Sequence, residues 1–163
     1  MILFYILMFL SVFTISLNGV QWIFRFDIFN ANYISFSFVS TILYMFTQTL
    51  IMFYLIGAGK KVKETIVKHS LNKEIYEKVI KIKNVLFPPL TLNILLIGTA
   101  FVLGGGVQTK ALSKYWHHSI FLISFLHYLK VIVVQHKSLV ENNYILSEVG
   151  KELESKLNIK EGK

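Results

Sequence analysis

Residues 33–57, YISFSFVSTILYMFTQTLIMFYLIG, contain no charged side chain, and the chain then turns abruptly basic in KKVKETIVKHSLNKE at 60–74. A helix rises ~1.5 Å per residue, so about 20 apolar residues cross a hydrocarbon core of ~30 Å. The stretch at 33–57 is long enough. Its apolar residues also fill every face, whereas a surface helix of a soluble bundle keeps one polar side. Three further stretches read the same way: 2–23 without a charge, 85–103 with Pro88 and Pro89 near its start, and 116–134 with Lys130 alone. The reading is an all-α integral membrane bundle of four helices, forming a single domain over 1–163.

Composition agrees. The chain is 54% hydrophobic and 15% aromatic, with a mean hydropathy of +0.57, more apolar surface than one core of 163 residues can hide. The first stretch carries no Lys or Arg ahead of it and outlasts a signal-peptide apolar region, so it reads as a retained membrane helix. With no cysteine in the sequence, disulfides and thiolate chemistry are excluded.

A net charge of +8 would suit nucleic acid, but its distribution points to a lipid bilayer instead. Between the second and third stretches lie Lys60, Lys61, Lys63, Lys68, Lys73, Lys78, Lys81 and Lys83; after the fourth come Lys137, Lys151, Lys156, Lys160 and Lys163. The remaining loops hold Arg25, and Lys110 with Lys114. Four crossings put the two Lys-rich segments on one side, and the positive-inside rule makes that side cytoplasmic. Both termini are then cytoplasmic, in a cell membrane of bacterial or archaeal type, with anionic headgroups facing the Lys-rich loop. Trp22 and Trp116 fall where outer aromatic anchors belong, and Asp27 beside Arg25 reads as its interfacial partner.

Helix extends past the bilayer. In the hairpin 58–84, Val62, Ile66 and His69 continue one face, Ser70 or Asn72 can cap a new helix, and Ile75, Tyr76, Val79, Ile80 and Ile82 give that helix its apolar side. Pro88 and Pro89 are expected to break or kink it at the membrane surface. Over 135–159, Leu139, Leu146, Val149, Leu153 and Leu157 recur at helical spacing, and Lys160–Lys163 should fray. Gly104, Gly105 and Gly106 read as a left-handed cap ending the third helix.

Polar residues inside a bilayer are costly, so their positions carry information. Each helix has a polar stripe: Ser11, Thr14, Asn18 and Gln21; Ser37, Thr41, Tyr44 and Gln48; Thr91, Asn93, Gly98 and Thr99; His117, Ser124 and His127. Hydrogen-bonded packing between helices accounts for most of these, Asn18, Gln48, Asn93 and Ser124 in particular. His127 stands apart, eleven residues below the start of its helix or roughly 16 Å deep, with Tyr44 at a similar depth. Such a pair can hydrogen-bond, orient a quinone, or bind a haem b iron. A haem is usually held by two histidines from facing helices. Here every intramembrane His is on the fourth helix, so the second ligand would be Met8, Met45 or Met52, or come from another chain.

No Asp or Glu falls within a span, and HExxH, GxSxG and the P-loop are absent. Three functional readings follow. The first is a non-catalytic accessory, structural or assembly subunit with protein partners in a larger membrane complex. The second is an electron-transfer subunit using His127 and Tyr44. The third is a small homo-oligomeric channel or carrier lined by Gln48, Asn93 and His127. Reporter fusions placed after Ala31 and after Asn72 should report opposite sides of the membrane; the same side for both would overturn the four-crossing topology.

Overall fold

A computed structural model describes residues 1–24, 26–28 and 31–161. Its elements are α1 (Ile2–Phe24), α2 (Tyr33–His69), α3 (Glu74–Gln108) and α4 (Lys114–Glu161). The described residues hold one isolated backbone bridge, Ile28 with Ala31, and no strand. All four helices are long and apolar enough to cross a membrane, which makes this an integral membrane protein. Their outward residues agree: Phe9, Val39, Leu95 and Leu126 are 58–68% exposed, a surface suited to lipid and not to water.

What the helices bury follows a repeat of three and four. On α1 it is Met8, Ser11, Ile15, Asn18 and Trp22; on α2, Ser37, Thr41, Tyr44, Gln48, Ile51, Leu55, Ala58 and Val62. On α3 it is Ile75, Val79, Ile82, Leu86, Leu90, Asn93, Ile97 and Ala100. On α4 it is His117, Ser124, Tyr128, Val131, Gln135, Ser138, Asn142, Ile145 and Val149. A step averaging near 3.5 residues is the seam of left-handed knobs-into-holes packing. Here the seam mixes polar and apolar side chains freely.

The chain divides into two compact units, one of Met1–Ile51 and Pro89–Ile132, the other of Met52–Pro88 and Val133–Lys163. The first is a four-helix unit. The second is a three-helix unit built from the ends of α2 and α4 and the start of α3.

In the three-helix unit the α2–α3 turn is closed by both of its caps. Ser70 takes the left-handed conformation (φ 53°), and the Leu71 N–H reaches back to the Ile66 carbonyl at 3.0 Å, a Schellman closure that buries Leu71. Asn72 then caps α3, its Oδ1 accepting from the Glu74 N–H at 3.0 Å. Of the two expected caps, Asn72 starts α3 and Ser70 ends α2. The C-terminal part of α4 lies along this hairpin. Lys78 donates to both Glu148 oxygens at 2.8 Å, the Asn72 N–H donates to Glu152 at 3.0 Å, and Lys156 donates to the Ser70 carbonyl. Within the expected apolar faces, Ile75, Val79, Ile82, Leu139 and Val149 are buried, while Ile80 and Leu157 are exposed.

Two local expectations need correction. Of the break or kink expected at Pro88 and Pro89, the break does not occur: α3 runs as one helix through them. A proline's φ near −65° is helical, and Leu86 and Leu90, both 0% exposed, pin the backbone on either side. The division between the units does cross α3 at this pair. Gly104–Gly106 do not cap the helix either: α3 continues to Gln108, none of these three glycines has positive φ, and Lys110 (φ 60°) takes the left-handed position. Gly104 and Gly106 serve close approach, whereas Gly105 has open space beside it. A Cβ at Gly104 would lie 3.3 Å from the His117 ring, and one at Gly106 would lie 2.7 Å from Leu112. Arg25, and with it the Arg25–Asp27 pair, lies outside the described residues, as does the end of the Lys160–Lys163 tail.

Gly59 and Gly57 make a paired test. A methyl group at Gly59 would meet Val79 Cγ1 at 2.8 Å and Lys83 Nζ at 2.7 Å, whereas at Gly57 it would meet nothing within 4 Å. Gly59→Ala should destabilise by about 1–3 kcal/mol, from overpacking against the stiff valine. Gly57→Ala should be neutral or gain up to ~1 kcal/mol of helix propensity. Denaturant unfolding of the purified variants in detergent reads both.

Candidate functional site

The polar seam residues of the four-helix unit gather in two clusters. In the first, the Tyr44 hydroxyl donates to Asn93 Oδ1 at 2.5 Å, and Asn93 Nδ2 donates to the Ser124 carbonyl at 2.9 Å. One amide thus ties α2 to α4 through α3. The Tyr44 ring meets Tyr128 edge to face, centroids 4.9 Å apart at 85°, and the Tyr128 hydroxyl lies near Ser11 and Gln48. Ser11 donates to Thr47 at 3.0 Å, and Thr47 to the Leu43 carbonyl at 2.8 Å. Ser11, Tyr44, Thr47, Gln48, Asn93, Ser124 and Tyr128 are all 0% exposed. In so dry a place each unmade bond would cost about 1–3 kcal/mol, and Ser11, Tyr44, Thr47 and Asn93 each make one.

The second cluster sits at the end where α3 and α4 meet. His117 Nδ1 lies 2.9 Å from the Ala100 carbonyl, which can only accept, so Nδ1 carries the proton. In the neutral ring Nε2 is then left to accept from the Tyr33 hydroxyl at 2.8 Å. His118 is set the same way. The Trp22 indole N–H, a donor only, points at its Nε2 at 2.6 Å, and its Nδ1–H donates to the Lys114 carbonyl at 2.6 Å. Both nitrogens of both rings are engaged. Trp22 packs between the imidazoles and Tyr33, with centroids 4.7 Å from His117 and 4.6 Å from Tyr33. Gly104 leaves room for the His117 ring. A void of about 10 Å³ lies beside Asn18, Trp22 and both histidines. Gln21 Nε2 donates to the Ala31 carbonyl at 3.0 Å, joining α1 to the start of α2. Trp22, expected as a membrane-surface anchor, is 7% exposed and belongs to this interior cluster; Trp116, at 65%, is the outward one.

The candidate residues thus fall into three groups. Asn93 and Ser124 are bonded to each other, with Gln48 beside Tyr128. Asn18 is buried, but its Oδ1 has no partner among the described residues. Tyr44 and His127, read together from depth alone, share no hydrogen bond or ring contact among the described residues. Tyr44 is engaged by Asn93 and Tyr128, whereas His127 is half-buried and its Nδ1 is buried without a hydrogen-bond partner among the described residues. Sequence reasoning missed Tyr128, Thr47 and Trp22 as cluster members. The signal for Tyr128 was present: 117, 124, 128, 131 and 135 continue one three-and-four repeat, and 127 falls about 100° to its side. Among the described residues no three metal-ligating side chains converge.

Compared with known proteins, the chain matches no family model, no curated protein and no solved structure.

Tyr44→Phe should destabilise by about 1–2 kcal/mol, because Asn93 Oδ1 loses its donor. Asn93→Ala should cost roughly 2–4 kcal/mol, since it opens a void and leaves the Tyr44 hydroxyl alone. The double variant should fall short of the sum, as coupled partners do. Denaturant unfolding in detergent measures the cycle, and strict additivity would show that the bond carries nothing.

Proposed function

We propose that this protein is a non-catalytic accessory, structural or assembly subunit of a larger membrane complex, inserted with both termini and the three-helix unit on the cytoplasmic side. The observation that carries the reading is how the polar groups of the four-helix unit are used. Tyr44 with Asn93 and Ser124, Ser11 with Thr47, Tyr33 with His117 and Trp22 with His118 each bond a neighbouring element or complete such a link. Groups committed to holding helices together are not free to bind and turn over a substrate. Orientation rests on the lysines of 60–83 and of the C-terminal segment. Lys60, Lys61, Lys81 and Lys83 closely flank the apolar stretches and suit anionic headgroups.

One observation favours a second reading, the electron-transfer subunit. His127 Nδ1 is buried and without a partner, as a nitrogen awaiting a quinone oxygen or a haem b iron would be. His127 is the one member of the original pair on which this reading still rests, because Tyr44 is engaged elsewhere.

Gentle detergent extraction from native membranes tests both on one sample. The accessory reading expects stoichiometric protein partners and no visible-range absorbance from this chain. A reduced-minus-oxidised Soret change that is lost in His127→Ala would favour the second reading and overturn the first. Monomeric extraction under the mildest conditions would also count against the first.

A further inference from the structure

The α2–α3 hairpin of the three-helix unit has two sides, and the chain itself covers one. On that side lie Ile75, Val79 and Ile82, all buried, and α4 brings Glu148 to Lys78 and Glu152 to the Asn72 N–H. The hairpin's partner within the chain is thus an amphipathic helix whose glutamates answer a lysine and a backbone N–H. Lys73, just ahead of α3, and Glu77 and Ile80 on a different face of that helix are exposed. There the hairpin carries an open groove of about 680 Å³ with Ile66, Leu71 and Tyr76 along it and Val67 and Ile80 at its sides. Val67 is 73% exposed and Ile80 41%, apolar surface uncovered in the chain alone. Lys63 and Lys73 line the groove, the Lys63 ammonium resting 5.7 Å from the Tyr76 ring centre, and Lys60 and Lys68 line the adjoining depression. Four lysines against Glu64 and Glu77 leave the rim positive.

We infer that this groove receives an amphipathic helix from a partner protein, with its apolar face on Val67, Tyr76 and Ile80 and with Asp or Glu flanking that face toward Lys63 and Lys73. The inference rests on the accessory-subunit reading and names the surface through which such a subunit is held. Charge complementarity and the glutamate-bearing helix on the hairpin's other side both argue for an acidic helix. A lipid surface suits the lysines but not the groove. Val67 lies ten residues along α2 beyond the apolar stretch that ends at 57, about 15 Å at helical rise and out of reach of acyl chains.

The experiment is photocross-linking of the full-length protein in native membranes. A photoreactive phenylalanine analogue is placed at Val67, at Ile80, and at the exposed Tyr144 on α4 as control, and adducts are sequenced by mass spectrometry. The expected result is one protein adduct from Val67 and Ile80 but not from Tyr144, mapping to a helical segment with acidic residues beside its apolar face. Lys63→Glu with Lys73→Glu should cut its yield roughly tenfold, and acid-to-lysine changes in that segment should restore it. Lys63 and Lys73 are both exposed, so folding is preserved. Adducts with lipid only, with a second copy of this chain, or with a segment lacking acids would overturn the inference, as would a yield indifferent to charge reversal. Stoichiometric partners that co-purify without cross-linking at Val67 or Ile80 would remove this groove and leave the accessory reading standing.

Discussion

Inside a bilayer the hydrophobic effect does not press helices together, because lipid is as apolar as a leucine side chain. Everything in this fold depends on what replaces it. The four helices carry a seam of three-and-four spacing whose polar members reach across to a neighbour, and Asn93 is its clearest instance, accepting from Tyr44 and donating to the Ser124 backbone. Each such contact is modest, averaging ~0.6 kcal/mol where measured in membranes. Their value lies also in direction. A methyl group packs against many surfaces, whereas an amide with two matched partners accepts one rotation of each helix.

The two clusters do this differently. The Tyr44–Asn93–Ser124 group uses buried hydroxyls and an amide in a fully enclosed place. The Trp22–Tyr33–His117–His118 group uses rings, and its hydrogen-bond polarity is set by donors and acceptors that cannot change role. An indole can only donate, and the Ala100 and Lys114 carbonyls can only accept. Gly104 belongs to the same cluster, since a side chain there would press on the His117 ring at 3.3 Å.

The three-helix unit is built by the rules of soluble proteins. It has a Schellman end at Ser70, an asparagine cap at Asn72, a core of Leu55, Val62, Ile75, Val79 and Leu139, and lysine–glutamate contacts at the surface. Its exposed ion pairs contribute little individually, ~0–1 kcal/mol. The core and the caps hold it. Two apolar side chains, Val67 and Ile80, remain outside that economy, and they give this unit a surface of its own.

The number of helices and their membrane character were legible in the sequence, because a bilayer imposes length and uniform apolarity on each crossing and 33–57 meets both. The hairpin and the C-terminal extension were legible for a related reason: Val62, Ile75 and Val79 repeat at helical spacing among lysines. Rotation of each helix about its axis was legible only through its polar stripe, whose Ser11, Asn18, Gln21, Ser37, Thr41, Tyr44, Gln48, Asn93, His117 and Ser124 are all buried; the apolar residues gave no rotation. Lipid-facing and interior residues are both apolar in a membrane helix, so hydrophobicity fails to mark the inner face, and depth alone put His127 beside Tyr44 where Tyr128 stands. The glycines at 104–106 show the same limit. Glycine serves a turn or a close contact equally well, and only the position of the His117 ring selects between them. Sequence by itself determined how many times the chain is apolar enough to cross and where it becomes basic, since those follow from transfer out of water. The tertiary structure decided which polar atoms meet, because a partner's direction is set by the helix opposite and appears in neither sequence alone.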